Sequence, residues 1–169
     1  RHLERTLHRL SYTDQLTGLA NRRALMGDVL EHRRRAGQHG TLLVIDLHGL
    51  AEINDNRGRE TGDAVLIEVG RRIRSLLAAD DVVARLGGDE FAVLFEDADA
   101  VVVELVWERI LSALEQGVAV TGQLLRLSAS AGIAWGGADD NAESLLRKAD
   151  LAMYEAKARG KGAVVVYED

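Results

Sequence analysis

The spacing of apolar residues divides the chain into alternating helical and extended segments. Helices are predicted, mostly from apolar residues at helical spacing, over 1–11, 22–35, 49–56, 63–79, 97–115 and 141–159. Continuous apolar runs or strict alternation predict strands over 41–47, 82–86, 91–95, 123–135 and 163–167. Asn21 is the expected N-cap of the second helix, and Gly58 to Gly62 is a predicted turn. The alternation in 123–135 predicts a strand that is buried on one face.

The order of these segments predicts an α/β (α+β) domain with a central, mostly antiparallel five-stranded sheet flanked by helices. A strand, a helix, a hairpin, a helix and a strand in succession give a ferredoxin-like core with additions. Leu3, Leu7 and Leu10 recur at heptad-like spacing, so segment 1–11 is either an amphipathic cap or the end of a longer signalling helix. We assign 1–13 to an N-terminal linker or signalling helix and 14–169 to the domain.

The segment VVARLGGDEFAVLF, residues 82–95, is the most informative stretch of the chain. Gly87 and Gly88 can adopt the positive φ angles of a tight turn between two apolar strands. Asp89 and Glu90 follow directly, and two adjacent carboxylates repel each other unless a cation lies beside them. A divalent cation meets that need, whereas an ordinary solvated turn is the alternative because Gly, Asp and Glu are common in turns.

A third carboxylate, Asp46, falls near the end of the apolar run TLLVIDL. Such a run is typical of a central strand covered on both faces, where an unpartnered carboxylate is costly. A cation ligand is therefore favoured over a structural role for Asp46. If the hairpin adjoins this strand, Asp46, Asp89 and Glu90 converge on a plausible Mg²⁺ site for nucleotide phosphates. Asp63, in contrast, is explained as a helix-dipole partner at the start of a helix.

Composition and charge narrow the possible functions. The 169 residues include no cysteine, which excludes disulfides and thiolate metal sites. No apolar run approaches the ~18 residues of a membrane span, and no signal peptide is present; this predicts a cytoplasmic domain without membrane contact. Because the chain begins with Arg1, we expect it to belong to a longer protein that has room for an upstream anchor. The net charge of −6 argues against nucleic acid as a partner.

Four separated segments, in order and at compatible spacing, carry a family resemblance. They are DQLTGLANRR at 14–23, INDNRGRETGD at 53–63, RLGGDEF at 85–91 and ADLAMYEAKARGK at 149–161. These segments resemble the signatures of GGDEF domains, the catalytic domains of diguanylate cyclases, and the resemblance covers about residues 12–167.

The resemblance implies a cyclase palm fold and a role in bacterial second-messenger signal transduction. Two domains of a head-to-head homodimer would each hold one GTP. Each 3′-hydroxyl would attack the other nucleotide's α-phosphate, so that pyrophosphate leaves and cyclic di-GMP forms. A fused sensor or EAL domain is the expected neighbour in the full-length protein.

Site residues carry over by position from the same resemblance. Asp46, Asp89 and the carbonyl of Leu47 would hold Mg²⁺ or Mn²⁺, with Glu90 supporting the metal or the attacking hydroxyl. Asn54 would bind guanine, as would Asp63, which replaces the helix-dipole interpretation of that residue. Phosphate contacts are implied for His48, Gly49, Leu50, Lys157 and Lys161.

The sequence departs from the family pattern beside the phosphate site. His48 stands where many members have a second Asp, Leu50 and Ala51 replace Phe-Lys, and Arg59 replaces His. These departures support an alternative, a catalytically weak or degenerate GGDEF domain that binds GTP as a regulatory or dimerisation module for an attached domain.

The product-binding inhibitory site of many cyclases, with the pattern R-x-x-D, is also altered. Ala78 stands in place of the arginine, although Asp81 is retained. We therefore predict that this inhibitory site is absent.

Overall fold

The computed structural model describes Leu3 and residues 11–36, 40–96, 98–137 and 139–168. The predicted N-terminal helix, with Leu7 and Leu10, falls almost entirely outside the described residues. The assignment of residues 1–13 to a linker or signalling helix therefore stays a prediction.

Five helices and seven strands make up the described part of the chain, and the predicted fold class is confirmed. The helices are α1 Arg22–Ala36, α2 Leu50–Arg57, α3 Arg59–Ser75, α4 Ala100–Gln116 and α5 Ala142–Arg159. The strands are β1 Thr41–His48, β2 Val82–Gly87, β3 Glu90–Phe95, β4 Val118–Val120, β5 Gln123–Leu125, β6 Ser128–Trp135 and β7 Val164–Val166. Asn21 caps α1 as predicted, because its Oδ1 accepts a hydrogen bond from the Ala24 amide at 3.0 Å.

The main sheet has the strand order β2-β3-β1-β6-β7, with β6 and β7 parallel and the other pairs antiparallel. Strand β1 lies at its centre and is buried along almost its whole length. Alternate residues of β1 contact opposite layers, since side chains alternate across a strand. Leu43 and Ile45 pack with α3 and α4, whereas Leu42 and Val44 pack with α1 and α5.

The region predicted as one strand over 123–135 contains two. Residues 123–125 form β5, which pairs with the unpredicted β4 in a separate two-stranded hairpin, and β6 begins at Ser128. The prediction of a half-buried strand was also wrong, because both faces of β6 are covered. Helix α5 lies so close to β6 that a Cβ on Gly132 would come within 2.2 Å of the Ala149 carbonyl oxygen. The small residues of β6 therefore reflect close helix packing rather than exposure to solvent.

Helix α3 begins at Arg59, so the predicted turn from Gly58 to Gly62 was wrong except at its first residue. Gly58, with φ 92°, makes the break between α2 and α3. Gly62 lies inside α3 and is buried. A Cβ on Gly62 would come within 1.7 Å of Asn54 Oδ1, so this glycine permits the close approach of α2 to α3. Asp63 consequently lies in the second turn of α3.

Candidate functional site

Three polar side chains form a row across the middle of the sheet. Asp46 on β1 is directly opposite Glu90 on β3 and Ser130 on β6. Residues paired in this way across antiparallel strands share one face. Helix α5 packs over β1 and β6 and brings Asp150 and Lys157 to the same row. The predicted hairpin thus adjoins the predicted strand, and their carboxylates converge as expected.

Asp46 is the most buried carboxylate in this row, with 4% of its surface exposed. Its Oδ2 lies 2.6 Å from Nζ of Lys157, which compensates the buried charge. The short contact with Asp46 and its negative charge raise the pKa of Lys157. Lys157 itself is half-exposed, so its ammonium group has access to solvent as well as to Asp46.

Asp89 lies next to Asp46 at the turn of the hairpin. Its carbonyl oxygen accepts a hydrogen bond from the Leu47 amide at 2.9 Å, which fixes the turn against the end of β1. Burial raises the pKa of the Asp89 carboxyl, and the hydrogen bond and charge of Asp46 raise it further. Two carboxyl groups therefore meet at one point, which favours either a shared proton or a cation.

Glu90 meets a fourth carboxyl group that the sequence reasoning did not assign to the site. Burial raises the pKa of Glu90 to about 7, and the charge and hydrogen bond of Asp150 add to this effect, followed by the charges of Asp46 and Asp89. The Oδ1 atom of Asp150 is buried and accepts no hydrogen bond from any residue that the structure describes. The position of Asp150, seven residues before Lys157 and thus on the same face of α5, is the sequence signal that points to the site.

The carboxyl groups of Asp46, Asp89, Glu90 and Asp150 concentrate negative charge at this site, and the Lys157 ammonium group lies beside Asp46. Oxygen ligands of this kind suit Mg²⁺ and Mn²⁺, and a divalent cation would relieve the repulsion that adds to burial in raising the pKa values of Asp89 and Glu90. Within the described ranges, no three acidic or histidine side chains already surround a common metal position.

A cleft of about 550 Å³ opens beside Asp89. It is lined by Leu16, Leu50, Ala51, Asn54, Arg59, Asp63, Leu66, Arg85, Gly88 and Asp89. The structure therefore brings Asn54 and Asp63 together, as predicted. Among the described residues, Asn54 Oδ1 is buried against Gly62 and accepts no hydrogen bond.

Gly62→Ala tests whether GTP binding requires the Asn54 side chain to keep its position. We expect the substitution to weaken GTP binding by about tenfold, because the added Cβ displaces the Asn54 side chain. We expect the free energy of unfolding to change by less than about 1 kcal/mol, since alanine favours the helix by a comparable amount. Calorimetric titration with GTP and thermal unfolding measure the two effects, with Gly27→Ala in α1 as the control. Unchanged GTP affinity would show that Asn54 does not contact the nucleotide.

His48 lies two residues after Asp46, on the same face of β1. His48 Nε2 lies 2.7 Å from Ser130 Oγ. Burial lowers the pKa of His48, Asp46 opposes that effect, and the charges of Lys157 and Lys161 contribute to the lowering. Gly49 has φ 103° and forms the cap between β1 and α2. His48 and Gly49 thus lie at the end of β1, while Leu50 is buried and lines the cleft.

Arg85 holds the hairpin turn from outside the row. Its guanidinium donates to Asp14 Oδ1 at 2.9 Å and to the Gly88 carbonyl at 2.8 Å. Both side chains of the ion pair are largely buried. The sequence reasoning gave neither Arg85 nor Asp14 a role, although each lies in a motif segment. Gly87 and Gly88 have φ 137° and 48°, which confirms their predicted role in the turn.

The loop after α3 is closed by its own hydrogen bonds. The Asp81 carboxylate accepts from the Ala78 amide at 3.0 Å and from the Glu96 amide at 3.3 Å. Arg74 donates to the carbonyl oxygens of Ala78 and Asp81. The retained Asp81 therefore bonds within its own loop and also holds that loop against the end of β3.

No helix in the described ranges is long and apolar enough to cross a bilayer.

Comparison with known proteins assigns the chain to a family. Residues 11–163 match the family model described as diguanylate cyclase, GGDEF domain. The chain is 39% identical over 163 residues to the response regulator PleD of Caulobacter vibrioides, covering 92% of this chain and 36% of PleD. It is 35% identical over 168 residues to the bifunctional diguanylate cyclase/cyclic di-GMP phosphodiesterase MucR of Pseudomonas aeruginosa, covering 97% of this chain and 24% of MucR.

Solved structures agree with the sequence comparisons. The GGDEF domain of YfiN from Pseudomonas aeruginosa superimposes with a TM-score of 0.84 at 34% identity, over 90% of this chain and 99% of that one. The coiled coil and GGDEF domain of DgcB from Caulobacter crescentus, solved with c-di-GMP, gives 0.86 at 29% identity, over 98% and 90% of the two chains. This chain spans about a third or less of the curated relatives named above. It belongs to the GGDEF domain family of diguanylate cyclases.

Proposed function

We propose that this domain condenses two GTP molecules into cyclic di-GMP with release of pyrophosphate, across a head-to-head homodimer. The observation that carries the proposal is the meeting of the Asp46 and Asp89 carboxyl groups beside the cleft that holds Asn54 and Asp63. That arrangement offers a cation-binding point and a base-binding cleft at adjoining places. We place the reaction in the cytoplasm, where GTP is available.

The cleft would bind guanine. The Asn54 side-chain amide would contact the base, and the Asp63 carboxylate would accept from N1–H and N2–H₂. Both residues line a cleft with apolar walls from Leu16 and Leu66. Such walls suit a flat base ring, whereas the polar groups fix its orientation.

The end of β1 would bind the triphosphate. Backbone amides of His48, Gly49 and Leu50 lie at the start of α2, where the helix dipole favours an anion. Lys157 and Lys161 supply positive charge beside them. Lys157 would transfer its ammonium group from Asp46 to a phosphate when nucleotide binds.

Mg²⁺ or Mn²⁺ is the cofactor that the carboxylates fit. Asp46 and Asp89, with the carbonyl of Leu47, would be the ligands, and Glu90 would support the ion or the attacking hydroxyl. A bound divalent ion neutralises triphosphate charge and lowers the pKa of a coordinated hydroxyl. The raised pKa of Asp89, caused by burial and then by Asp46, and the attraction of Asp46 for the Lys157 ammonium group support the assignment, since both show that the site favours a positive charge.

A second candidate is a catalytically weak domain that binds GTP as a regulatory or dimerisation module for an attached domain. His48 supports it, because this side chain contacts Ser130 and adds no carboxylate to the site. Leu50 and Ala51 also line the cleft without adding a cation. The greater length of MucR and PleD supports a further domain, such as a sensor or an EAL domain.

Incubation with GTP and Mg²⁺ at high protein concentration separates the two candidates. We expect cyclic di-GMP to form, with a rate per protomer that rises with protein concentration because two protomers must meet. Asp89→Ala is expected to form none. GTP binding without product would reject the cyclase and support the second candidate.

Asp81→Ala tests the predicted absence of the inhibitory product site. We expect the variant to lose about 1–2 kcal/mol of stability, since two backbone amides lose their acceptor. We expect inhibition by added cyclic di-GMP to be the same in both proteins, because the Asp81 carboxylate is already bonded to the Ala78 and Glu96 amides. Initial rates across a range of added product measure this effect. Product inhibition that disappears in Asp81→Ala would show that the loop binds product.

A further inference from the structure

The turn after α5, residues Gly160 to Gly162, is fastened to β6 beside the proposed phosphate site. The Gly162 amide donates to the Ala129 carbonyl at 2.9 Å, and Ser130 Oγ donates to the Gly160 carbonyl at 3.2 Å. The second bond comes from a side chain, so a substitution can remove it. Lys161 lies in this turn, and Lys157 lies in the last turn of α5 just before it.

Ser130 also links the turn to the end of β1. The residue is fully buried, and its Oγ lies 2.7 Å from His48 Nε2. A hydroxyl carries one proton and a carbonyl only accepts. The Ser130 proton therefore goes to Gly160, and His48 Nε2–H donates to Ser130 Oγ. Two consecutive hydrogen bonds thus join β1 to the turn.

Both lysines lie close to this link. Lys157 Nζ lies 2.6 Å from Oδ2 of Asp46, two residues before His48 on β1, and Lys161 is part of the turn that Ser130 holds. The proposed phosphate site is therefore shared between the end of β1 and the end of α5. Its geometry depends on how firmly these two elements are held together.

We infer that Ser130 and His48 are positioning residues that hold the Gly160–Gly162 turn against β1, and that they set the preference of the site for a triphosphate over a monophosphate. This inference rests on the proposed function and deepens it. The guanine contacts of Asn54 and Asp63 lie in the cleft on another part of the site. Loss of the link is therefore expected to affect phosphate binding while leaving base binding almost unchanged.

The test compares binding of GMP and of a non-hydrolysable GTP analogue, with Mg²⁺, by calorimetry. We expect Ser130→Ala and His48→Ala to weaken binding of the analogue by about 5- to 20-fold, as for loss of one or two hydrogen bonds, and that of GMP by less than about twofold. His48→Gln is expected to retain most of the analogue affinity, because its amide can donate in place of Nε2. Ser128→Ala is the control, since Ser128 lies on the same strand but donates to Glu115.

A second readout needs no nucleotide. We expect amide hydrogen exchange of Gly162 to be about tenfold faster in Ser130→Ala than in wild type, because the turn opens more often. Equal losses of affinity for GMP and for the analogue in the variants, or no loss of either, would overturn this inference but not the proposed function. Wild-type protein that binds neither nucleotide would overturn the proposed function, and this role with it.

Discussion

Asp46→Asn is expected to lower the rate of cyclic di-GMP formation by about 10³-fold, or about 4 kcal/mol in activation free energy. Asparagine keeps the shape of the side chain but removes the charge that pairs with a cation. The Asp46 carboxylate lies beside that of Asp89, so its loss leaves the proposed ion without one of its two proposed carboxylate ligands. Initial rates with GTP and Mg²⁺ measure the loss.

The same variant is expected to remain folded. Lys157 is half-exposed, so its ammonium group can turn to water when its partner is neutral, and Asp89 loses a repulsive neighbour. We expect the free energy of unfolding to stay within about 1 kcal/mol of wild type. Asp80→Asn, which changes an exposed acid in the loop after α3, is the matched control for both measurements. A wild-type rate in Asp46→Asn would exclude Asp46 from the metal site.

Local patterns in the sequence were sufficient to predict the sheet and half of the site. The apolar run before Asp46 and the glycine turn before Asp89 each depend on neighbours within a few residues. Their convergence followed from topology, because a hairpin that adjoins a central strand brings the two ends together. For these residues the chemistry could be expected before the structure was known.

Other parts of the site depend on contacts between distant segments. The residues around Gly62 do not indicate that this glycine makes room for the Asn54 side chain. A glycine at this point in the sequence is equally typical of a turn. The break between β5 and β6 likewise depends on how the β4–β5 hairpin packs. The alternation of apolar and polar residues over 123–135 continues across the break between β5 and β6, so the sequence pattern does not reveal the break.

The carboxyl pair of Glu90 and Asp150 is the clearest example of a feature that spacing cannot predict. The two residues are far apart in the chain, and their elements meet only because α5 packs closely over β6. Asp150 lies in one of the four motif segments, but the motif does not identify Glu90 as its partner. Its effect on Glu90 becomes apparent only from their proximity in the folded domain.

Glu90→Gln is expected to stabilise the fold at pH 8 while lowering the rate of cyclic di-GMP formation by about 10²-fold or more. The pKa of Glu90 is raised from 4.5 to about 7 in the folded protein. The folded state therefore holds this proton more tightly than the unfolded state, so protonation favours folding. That contribution is present at pH 4.5 and below and is lost as the pH rises to about 7. Glutamine mimics the protonated side chain at every pH.

Thermal unfolding from pH 5 to pH 8, in the presence of a chelator, measures the effect. We expect Glu90→Gln to exceed wild type by about 1–2 kcal/mol at pH 8, allowing for solvent near this half-buried group, or about 3–6 °C in Tm. The two proteins should nearly agree at pH 5. Asp150→Asn is a second variant for the same measurement. Removing that neighbouring charge lowers the pKa of Glu90 and so reduces the pH dependence of the free energy of unfolding. A constant difference between Glu90→Gln and wild type across the range would show that Glu90 is ionised throughout and that the carboxyl cluster does not hold its proton.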